Sequence, residues 1–251
     1  MHALILAAGR GSRMGDLTLT TPKPLLSVDN YSLIEHQILR LCRSGVREIT
    51  INTAWLGDSI ERVCGDGNRF GVKIAYSHER DGALETAGGI ANALHLINTD
   101  PFLAVNADVW IDQNYDQLNL MRSLNSASTI ETGIDAHIVL ADNPSWHSDG
   151  DFYLNAESVV SDSIEETTHP QQTPAVTRLT FTGIAAYRKR LFEDLPETRY
   201  PVGPLLRTAM GNKRVSGEHI DGRWISVDTV DRLQTVRRWQ AEFESTEGVA
   251  N

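Results

Sequence analysis

The feature that most constrains this chain is a six-residue apolar run, Ala3 to Ala8, that passes without a charge into Gly9-Arg10-Gly11-Ser12-Arg13. Such a run is the length of a strand buried on both faces and far too short to cross a bilayer. No basic segment precedes it as in a secretory leader, so a buried first strand in a cytoplasmic protein is expected. The small residues and glycines that follow predict a tight turn at the strand's carboxyl end. In an open α/β sheet that is where ligands bind, so chemistry is expected just after Leu6 and, by the same rule, after Asn106.

Beyond this turn the first half alternates β-rich and helical segments, the order of a parallel sheet with helices on both faces. The spacing of Leu33, Ile34, Ile38 and Leu41 predicts a helix over Ser32–Arg43 that stops before Gly45. Strand Glu48–Asn52, helix Asp58–Cys64, strand Val72–Tyr76, helix Ala87–Leu96 and strand Phe102–Asn106 follow, the last expected at the sheet edge. The second half offers strands at His137–Leu140, Asp151–Leu154, Thr177–Tyr187 and Arg214–Glu218, short helices near Arg190 and Leu205, and a longer one over Val230–Phe243. An additional lobe of mixed strands is expected there. Ser158–Thr173, rich in Ser, Thr, Glu and Gln, reads as loosely ordered. A length of 251 residues fits a single domain.

With 33 acidic against 23 basic side chains the formal charge is -10, which argues against a nucleic-acid partner held through its phosphates. Cys42 and Cys64 form no C-x-x-C pair and are expected to be buried thiols of a reducing compartment. His78, His147 and His169 stand in polar segments without i, i+4 partners and read as surface residues, not zinc ligands. Neither a membrane nor a nucleic-acid partner is expected.

The glycine turn lets backbone N–H groups approach a polyphosphate, and Arg13 can add a bidentate contact. It is not a dinucleotide fingerprint, whose third glycine would fall on Met14, nor a P-loop, which needs Gly-Lys where the chain has Met14-Gly15. Ten residues past Arg13, Thr21-Pro22-Lys23-Pro24-Leu25-Leu26 fixes the backbone around Lys23. A held ammonium beside a phosphate turn is an electrostatic catalyst, although a lysine in a proline turn is also an ordinary surface feature. Asp108, alone, reads equally as a helix N-cap or a metal carboxylate.

Together, Leu6-Ala7-Ala8-Gly9-x-Gly11-x-Arg13-Met14 and Pro22-Lys23-Pro24-Leu25 resemble the signature of the sugar-1-phosphate nucleotidylyltransferases. Ala54-Trp55-Leu56-Gly57, Gly65 to Gly71, Leu84-Glu85-Thr86-Ala87-Gly88-Gly89-Ile90, Asn106-Ala107-Asp108-Val109-Trp110, Asp142-Asn143-Pro144 and Gly150-Asp151-Phe152 resemble the N-acetylmuramate 1-phosphate uridylyltransferase branch. The likeness covers nearly the whole chain, apart from insertions around Asn125–Asp135 and Ser161–Thr173. It implies a Rossmann-like, doubly wound mixed sheet of the nucleotide-diphospho-sugar transferase type with a small C-terminal sugar-binding lobe: a core over 1–125 and a sugar-binding part with the C-terminal helix over 126–251. It further implies Mg²⁺ as cofactor and UTP and a hexosamine 1-phosphate as partners. Arg13, Lys23 and Asp108 would be catalytic. Ala7, Ala8, Gly9, Gly11, Ser12, Glu79, Glu85, Gly88 and Asn106 would bind nucleotide, with Glu79 and the loop from Glu85 against uracil, and Asp151, Thr182 and Gly183 would contact sugar.

One departure bears on the metal. The family's Trp-x-Asp-Val-Gly-Thr appears here as Trp224-Ile225-Ser226-Val227-Asp228-Thr229, which puts Ser226 at the ligand position and Asp228 at the glycine. Asp228 is expected as the second metal carboxylate; water-mediated ligation through Ser226 and a helix-capping role for Asp228 are the alternatives. Gly15-Asp16 also replaces the more usual Arg-Pro. Glucose or mannose 1-phosphate with UTP, dTTP or GTP would suit the same fold, and a nucleotide-sugar binder without turnover is the reading from another class.

Overall fold

The computed structural model describes residues 1–79, 82–125, 133–163, 176–195 and 198–247. His169 and much of the two expected insertions lie outside these ranges.

The first strand, β1 (His2–Leu6), lies between β4 (Glu48–Thr53) and β6 (Phe102–Asn106), parallel to both, and β4 continues in parallel to β5 (Lys73–His78). Successive β1 side chains point to opposite faces and set up two cores. Ala3 and Ile5 pack with α1 (Leu33–Arg43), α2 (Gly57–Cys64) and α4 (Leu120–Asn125). Leu4 packs on the other face with α3 (Glu85–Ala93) and α5 (Val202–Gly211). This is the doubly wound arrangement. The chain runs outward from β1 to β4 and β5 and then crosses back to β6 on the other side of β1, so the carboxyl ends of β1 and β6 form a topological switch point, where a crevice opens.

β6 is not an edge strand, contrary to the expectation. β11 (Thr177–Tyr187) pairs with it antiparallel and also with β8 (Ala136–Ala141), which carries β12 (Val215–Ile220) in parallel. The strands β9 (Phe152–Leu154) and β10 (Val160–Ser161) complete a nine-stranded sheet among the described residues. Second-half strands thus extend the first-half sheet. Val160 and Ser161 are buried within the stretch expected to be loose, while residues 164–173 of it lie outside the described ranges.

Two short pairings escape hydrophobic periodicity. A hairpin of β2 (Ser27–Val28) and β3 (Tyr31–Ser32) turns through Asp29 and Asn30. β7 (Val109–Ile111) pairs antiparallel with β13 (Trp224–Ser226), laying the C-terminal segment beside Asp108. Trp110, Ile225 and Val227 share a third core with Met14 and with Leu233 and Val236 of α6 (Val230–Glu247). Helix bounds differ slightly from expectation: α3 begins at Glu85, and its last turn, Leu94–Leu96, tightens to a 3₁₀ helix. Cys42 is only half-buried, because it lies on the rim of α1, while burial pushes the Cys64 thiol up to about 12.

α1 is fixed at both ends. The Glu35 carboxylate accepts the Ser32 N–H at 2.8 Å and its hydroxyl at 2.6 Å, and pairs with Arg69 at 2.6 Å. Past Arg43, the Gly45 N–H bonds the Cys42 carbonyl and the Val46 N–H the Leu41 carbonyl, both at 3.0 Å, a Schellman closure. Burial works against the charged Glu35 carboxylate, but Ser32 and Arg69 outweigh it and hold its pKa below the usual range. Its stabilisation is therefore present above the ordinary carboxylate pKa and lost as pH falls through the lowered one. Glu35→Ala should cost about 1 kcal/mol and lower the melting temperature by about 2–4 °C at pH 7, with a smaller difference in acid, as followed by circular dichroism.

Candidate active site

The turn after β1 is held open by its own bonds. Gly11 has φ +67°, and a Cβ there would stand 2.9 Å from the Lys23 Cβ, so a glycine is needed both for the turn and for the approach of Lys23. The Thr18 hydroxyl bonds the Gly11 carbonyl at 3.0 Å, the Trp55 indole N–H bonds the Thr18 carbonyl at 3.2 Å, and the Arg10 guanidinium lies over the Trp55 ring. Ala7, Ala8, Gly9, Gly11 and Ser12 line a cavity of about 470 Å³, with Lys23, Glu79, Glu85, Asn106 and Asp108 also on its wall.

Lys23 is buried, not a surface lysine: its side chain is 11% exposed. Its ammonium donates to Asp108 Oδ2 and, at 3.0 Å, to Asp228 Oδ1. Burial opposes the charged lysine, but the two carboxylates outweigh it and raise its pKa. Burial likewise opposes ionised Asp228, and Lys23, Arg13 and Arg232 more than offset that, so its pKa is lowered. Arg13, 71% exposed, reaches Asp228 Oδ2 at 3.2 Å, and the Ser226 hydroxyl reaches the same oxygen at 3.3 Å. Asp228 does not cap α6; the Thr229 hydroxyl takes that place, accepting the Arg232 N–H at 3.3 Å. The Val227 N–H bonds the Asp108 carbonyl at 2.8 Å, which sets Asp228 beside the Asp108 turn.

Asp108 sits in the turn between β6 and β7, and a buried glutamine from α1 closes that turn. Gln37 Nε2 donates to the Asn106 carbonyl at 3.2 Å and to the Val109 carbonyl, while the Tyr115 hydroxyl donates to Gln37 Oε1 and fixes which way the amide faces. The Ala107 N–H bonds the Leu6 carbonyl at 3.0 Å, joining this turn to the glycine turn.

Glu79, expected against the base, is a brace in this structure. Asn52 Oδ1 accepts the Ala7 N–H at 2.7 Å, so Asn52 Nδ2 must face Glu79 Oε1, which it meets at 2.6 Å. Glu79 Oε2 accepts the Leu84 N–H at 2.6 Å. Burial raises the Glu79 pKa against the pull of these two hydrogen bonds. Glu85 lies at the cavity mouth with φ +62°, paired to Arg199 at 2.8 Å.

A second cavity of about 210 Å³ adjoins the first and shares Leu6, Thr86 and Asn106 with it. It is opened by a bulge in β11, whose register against β8 shifts between Phe181 and Ala185. Thr182 and Gly183 lie in that bulge and line the cavity with Phe181 and Trp224. The Thr182 hydroxyl bonds the Val139 carbonyl at 2.8 Å, the Trp224 indole bonds the Thr182 carbonyl at 3.0 Å, and a Cβ on Gly183 would fall 2.5 Å from Asn106 Nδ2.

Four expected site residues, Arg13, Asp228, Gly88 and Asp151, line neither cavity. Gly88 is buried, its N–H on the Tyr200 carbonyl at 3.1 Å. Asp151 accepts the Phe181 N–H at 2.8 Å and pairs with His147 at 3.0 Å, an i, i+4 partner that the sequence reading had not given this histidine. His78 is exposed, and among the described residues no group of three or more His, Cys, Asp or Glu side chains is arranged to hold a metal. Asn52, Gln37, Thr86, Arg199 and Trp224 are site residues that sequence reasoning missed. Of these, Trp224, inside the Trp-x-x-x-Asp segment, and Thr86, inside the Leu84 to Ile90 segment, carried a local signal.

A polyphosphate-sized cavity on a glycine turn, closed by a buried lysine between two aspartates, is the arrangement of a nucleotide-handling enzyme, and the chain belongs to the nucleotidyl transferase family, whose model matches residues 2–143. It is 44% identical over 235 residues, 93% of this chain and 96% of the relative, to the N-acetylmuramate alpha-1-phosphate uridylyltransferase of Neisseria meningitidis serogroup B. The enzyme of that name from Caulobacter vibrioides is 28% identical over 231 residues, 90% of each chain. Among solved structures, HddC from Yersinia pseudotuberculosis complexed with GMP-PN shares the fold with a TM-score of 0.71 at 18% identity, covering 94% of this chain and 98% of that one.

The braces make separable predictions. Gln at position 79 offers one acceptor where the Asn52 amide and the Leu84 N–H need two. Glu79→Gln should therefore destabilise the fold by about 1–3 kcal/mol, read from urea denaturation, and weaken nucleotide binding, read by calorimetry. Gln37→Leu leaves two buried carbonyls without a donor and should lower turnover through displacement of Asp108, with little change in nucleotide affinity.

Proposed function

We propose that this protein transfers UMP from UTP to N-acetylmuramate 1-phosphate, releasing pyrophosphate and UDP-N-acetylmuramate, as a cytoplasmic step of peptidoglycan recycling. The observation that carries the reading is the Lys23–Asp108–Asp228 cluster beside the glycine turn, with Lys23 and Asp108 on the wall of the larger cavity. The relative from Neisseria meningitidis supplies the substrate names, since it bears that activity in its name and aligns over nearly its full length.

The donor set fits Mg²⁺, which prefers one or two carboxylates together with phosphate oxygens and water. Asp108 and Asp228 already converge on one cation, the Lys23 ammonium, and would be the residues that hold the ion. When bound, Mg²⁺ supplies charge neutralisation at phosphate oxygens. The remaining work falls to the chain. An ammonium has three N–H donors, two of which Lys23 spends on the carboxylates, leaving one for a phosphate oxygen. The amides from Gly9 to Ser12 and the Arg13 guanidinium grip the triphosphate. Glu79 and Asn52 keep the Leu84 backbone in place beside the base.

The acceptor needs no general base, because the second pKa of a phosphomonoester is about 6 and its oxygen is ionised at neutral pH. That oxygen forms a bond to the α-phosphorus as the bond from the α-phosphorus to the bridging oxygen breaks, and pyrophosphate leaves with the electron pair. Bringing two polyanions together in line is the main barrier, so catalysis is positioning and charge. A net charge of -10 is compatible with this because Lys23, Arg13 and Arg232 supply positive charge locally around Asp228.

Pyrophosphate release measured across a matrix of nucleotides and sugar 1-phosphates should be highest with UTP and N-acetylmuramate 1-phosphate; absence of activity with UTP rejects the proposal. Lys23→Ala should lower turnover by about 10²- to 10³-fold in a folded protein. EDTA should abolish turnover and Mg²⁺ restore it, and Asp228→Asn should raise the Mg²⁺ concentration required.

A further inference from the structure

Asp228 lies past the end of β13, outside any ladder, and its N–H turns back to the Ser226 carbonyl at 3.0 Å. Its carboxylate is therefore aimed by side-chain partners. Two of these, Lys23 and Arg13, are cations of the phosphate grip, and Arg13 is largely in solvent. The Ser226 hydroxyl, 3.3 Å from Oδ2, is the third, and Arg232 is the fourth. Its side chain is 16% exposed and its Nη1 lies 3.4 Å from Asp228 Oδ2 and 3.3 Å from the Ser226 carbonyl.

Something must hold Arg232 in turn, and that is Trp146. The Arg232 Cζ sits 4.1 Å from the centroid of the Trp146 ring, within the range of a cation–π contact. Trp146 is 45% exposed and belongs to none of the hydrophobic cores, so burial does not account for this large ring. Its loop is anchored. Asn143 accepts the Thr180 hydroxyl at 2.9 Å and donates to the Arg178 carbonyl at 3.1 Å, and Asp151 holds the Phe181 N–H. The loop is thus mounted on the stretch of β11 whose next residues, Thr182 and Gly183, line the smaller cavity.

We propose that Trp146 is a positioning residue for Asp228: its ring holds the Arg232 guanidinium, which turns the Asp228 carboxylate toward Lys23 and Asp108. This rests on the reading of Asp108 and Asp228 as a metal pair for its consequence, but not for its geometry. A loop anchored at the acceptor cavity then helps to set the second carboxylate, in a chain where Ser226 stands at the family's usual ligand position.

The test uses the full chain and Mn²⁺ as the probe, titrated by electron paramagnetic resonance without nucleotide, together with metal-free crystal structures. Trp146→Ala should weaken Mn²⁺ binding about two- to fivefold and leave the Asp228 carboxylate turned away from Lys23. Trp146→Phe should restore most of both, because a ring is what Arg232 needs. Arg232→Met, which removes the guanidinium, should turn the Asp228 carboxylate away from Lys23 in the metal-free crystal structure as Trp146→Ala does. Melting temperatures of the Trp146 variants should match the parent, since the ring lies outside the cores. If Asp228 keeps its place and Mn²⁺ affinity is unchanged in Trp146→Ala, the positioning role is overturned while the metal pair stands. If the parent fails to bind Mn²⁺ yet Asp228 swings away in Trp146→Ala, the metal reading falls and the positioning role stands.

Discussion

The ammonium of Lys23 between Asp108 and Asp228 joins three segments that are far apart in the chain: a proline-flanked turn, the turn after β6 and the loop after β13. Charges at this depth are tolerated only in each other's company, because removing one partner strands the other in a medium that solvates it poorly. The cluster therefore disciplines its surroundings. Gly11 must lack a side chain so that Lys23 can pass, Val227 must bond the Asp108 carbonyl, and Gln37 must close the turn from behind. What results is a polar centre built before substrate arrives, so little reorganisation is left for the reaction itself.

Much of this was legible locally. The apolar run into glycines, the proline-locked lysine and the alternation of strand and helix patterns each occupy a few adjacent residues, and each appears in the fold nearly where its pattern predicts. The failures share a cause. The placing of β6 at the edge missed β11, whose residues pair with it from 79 to 85 positions further on and leave no trace in the Phe102–Asn106 pattern itself. The β7 and β13 pair, three residues each, is too short for any period to show, although it is what brings Asp228 to Asp108.

Side-chain roles were harder to read than backbone ones. Glu79 and Asp151 are carboxylates in segments that resemble a family's binding motifs, yet here each spends its oxygens on the chain: Glu79 on Asn52 and the Leu84 N–H, Asp151 on the Phe181 N–H and His147. A motif marks where a residue is needed without telling whether it touches ligand or frames the residue that does. Asn52 and Gln37 show the reverse. Both are buried amides with no motif around them: Asn52 joins the Ala7 N–H to the Glu79 carboxylate, and Gln37 holds the carbonyls on both sides of one turn.

The bulge in β11 falls where the sheet changes from parallel to antiparallel, one strand away from the glycine turn. The smaller cavity is therefore lined in part by a strand that contributes no charge to the Lys23–Asp108–Asp228 cluster. A change at Phe181 or Thr182 would thus reshape that cavity without removing a charge, whereas a change at Trp224 would also disturb the pairing that carries Asp228 to Asp108.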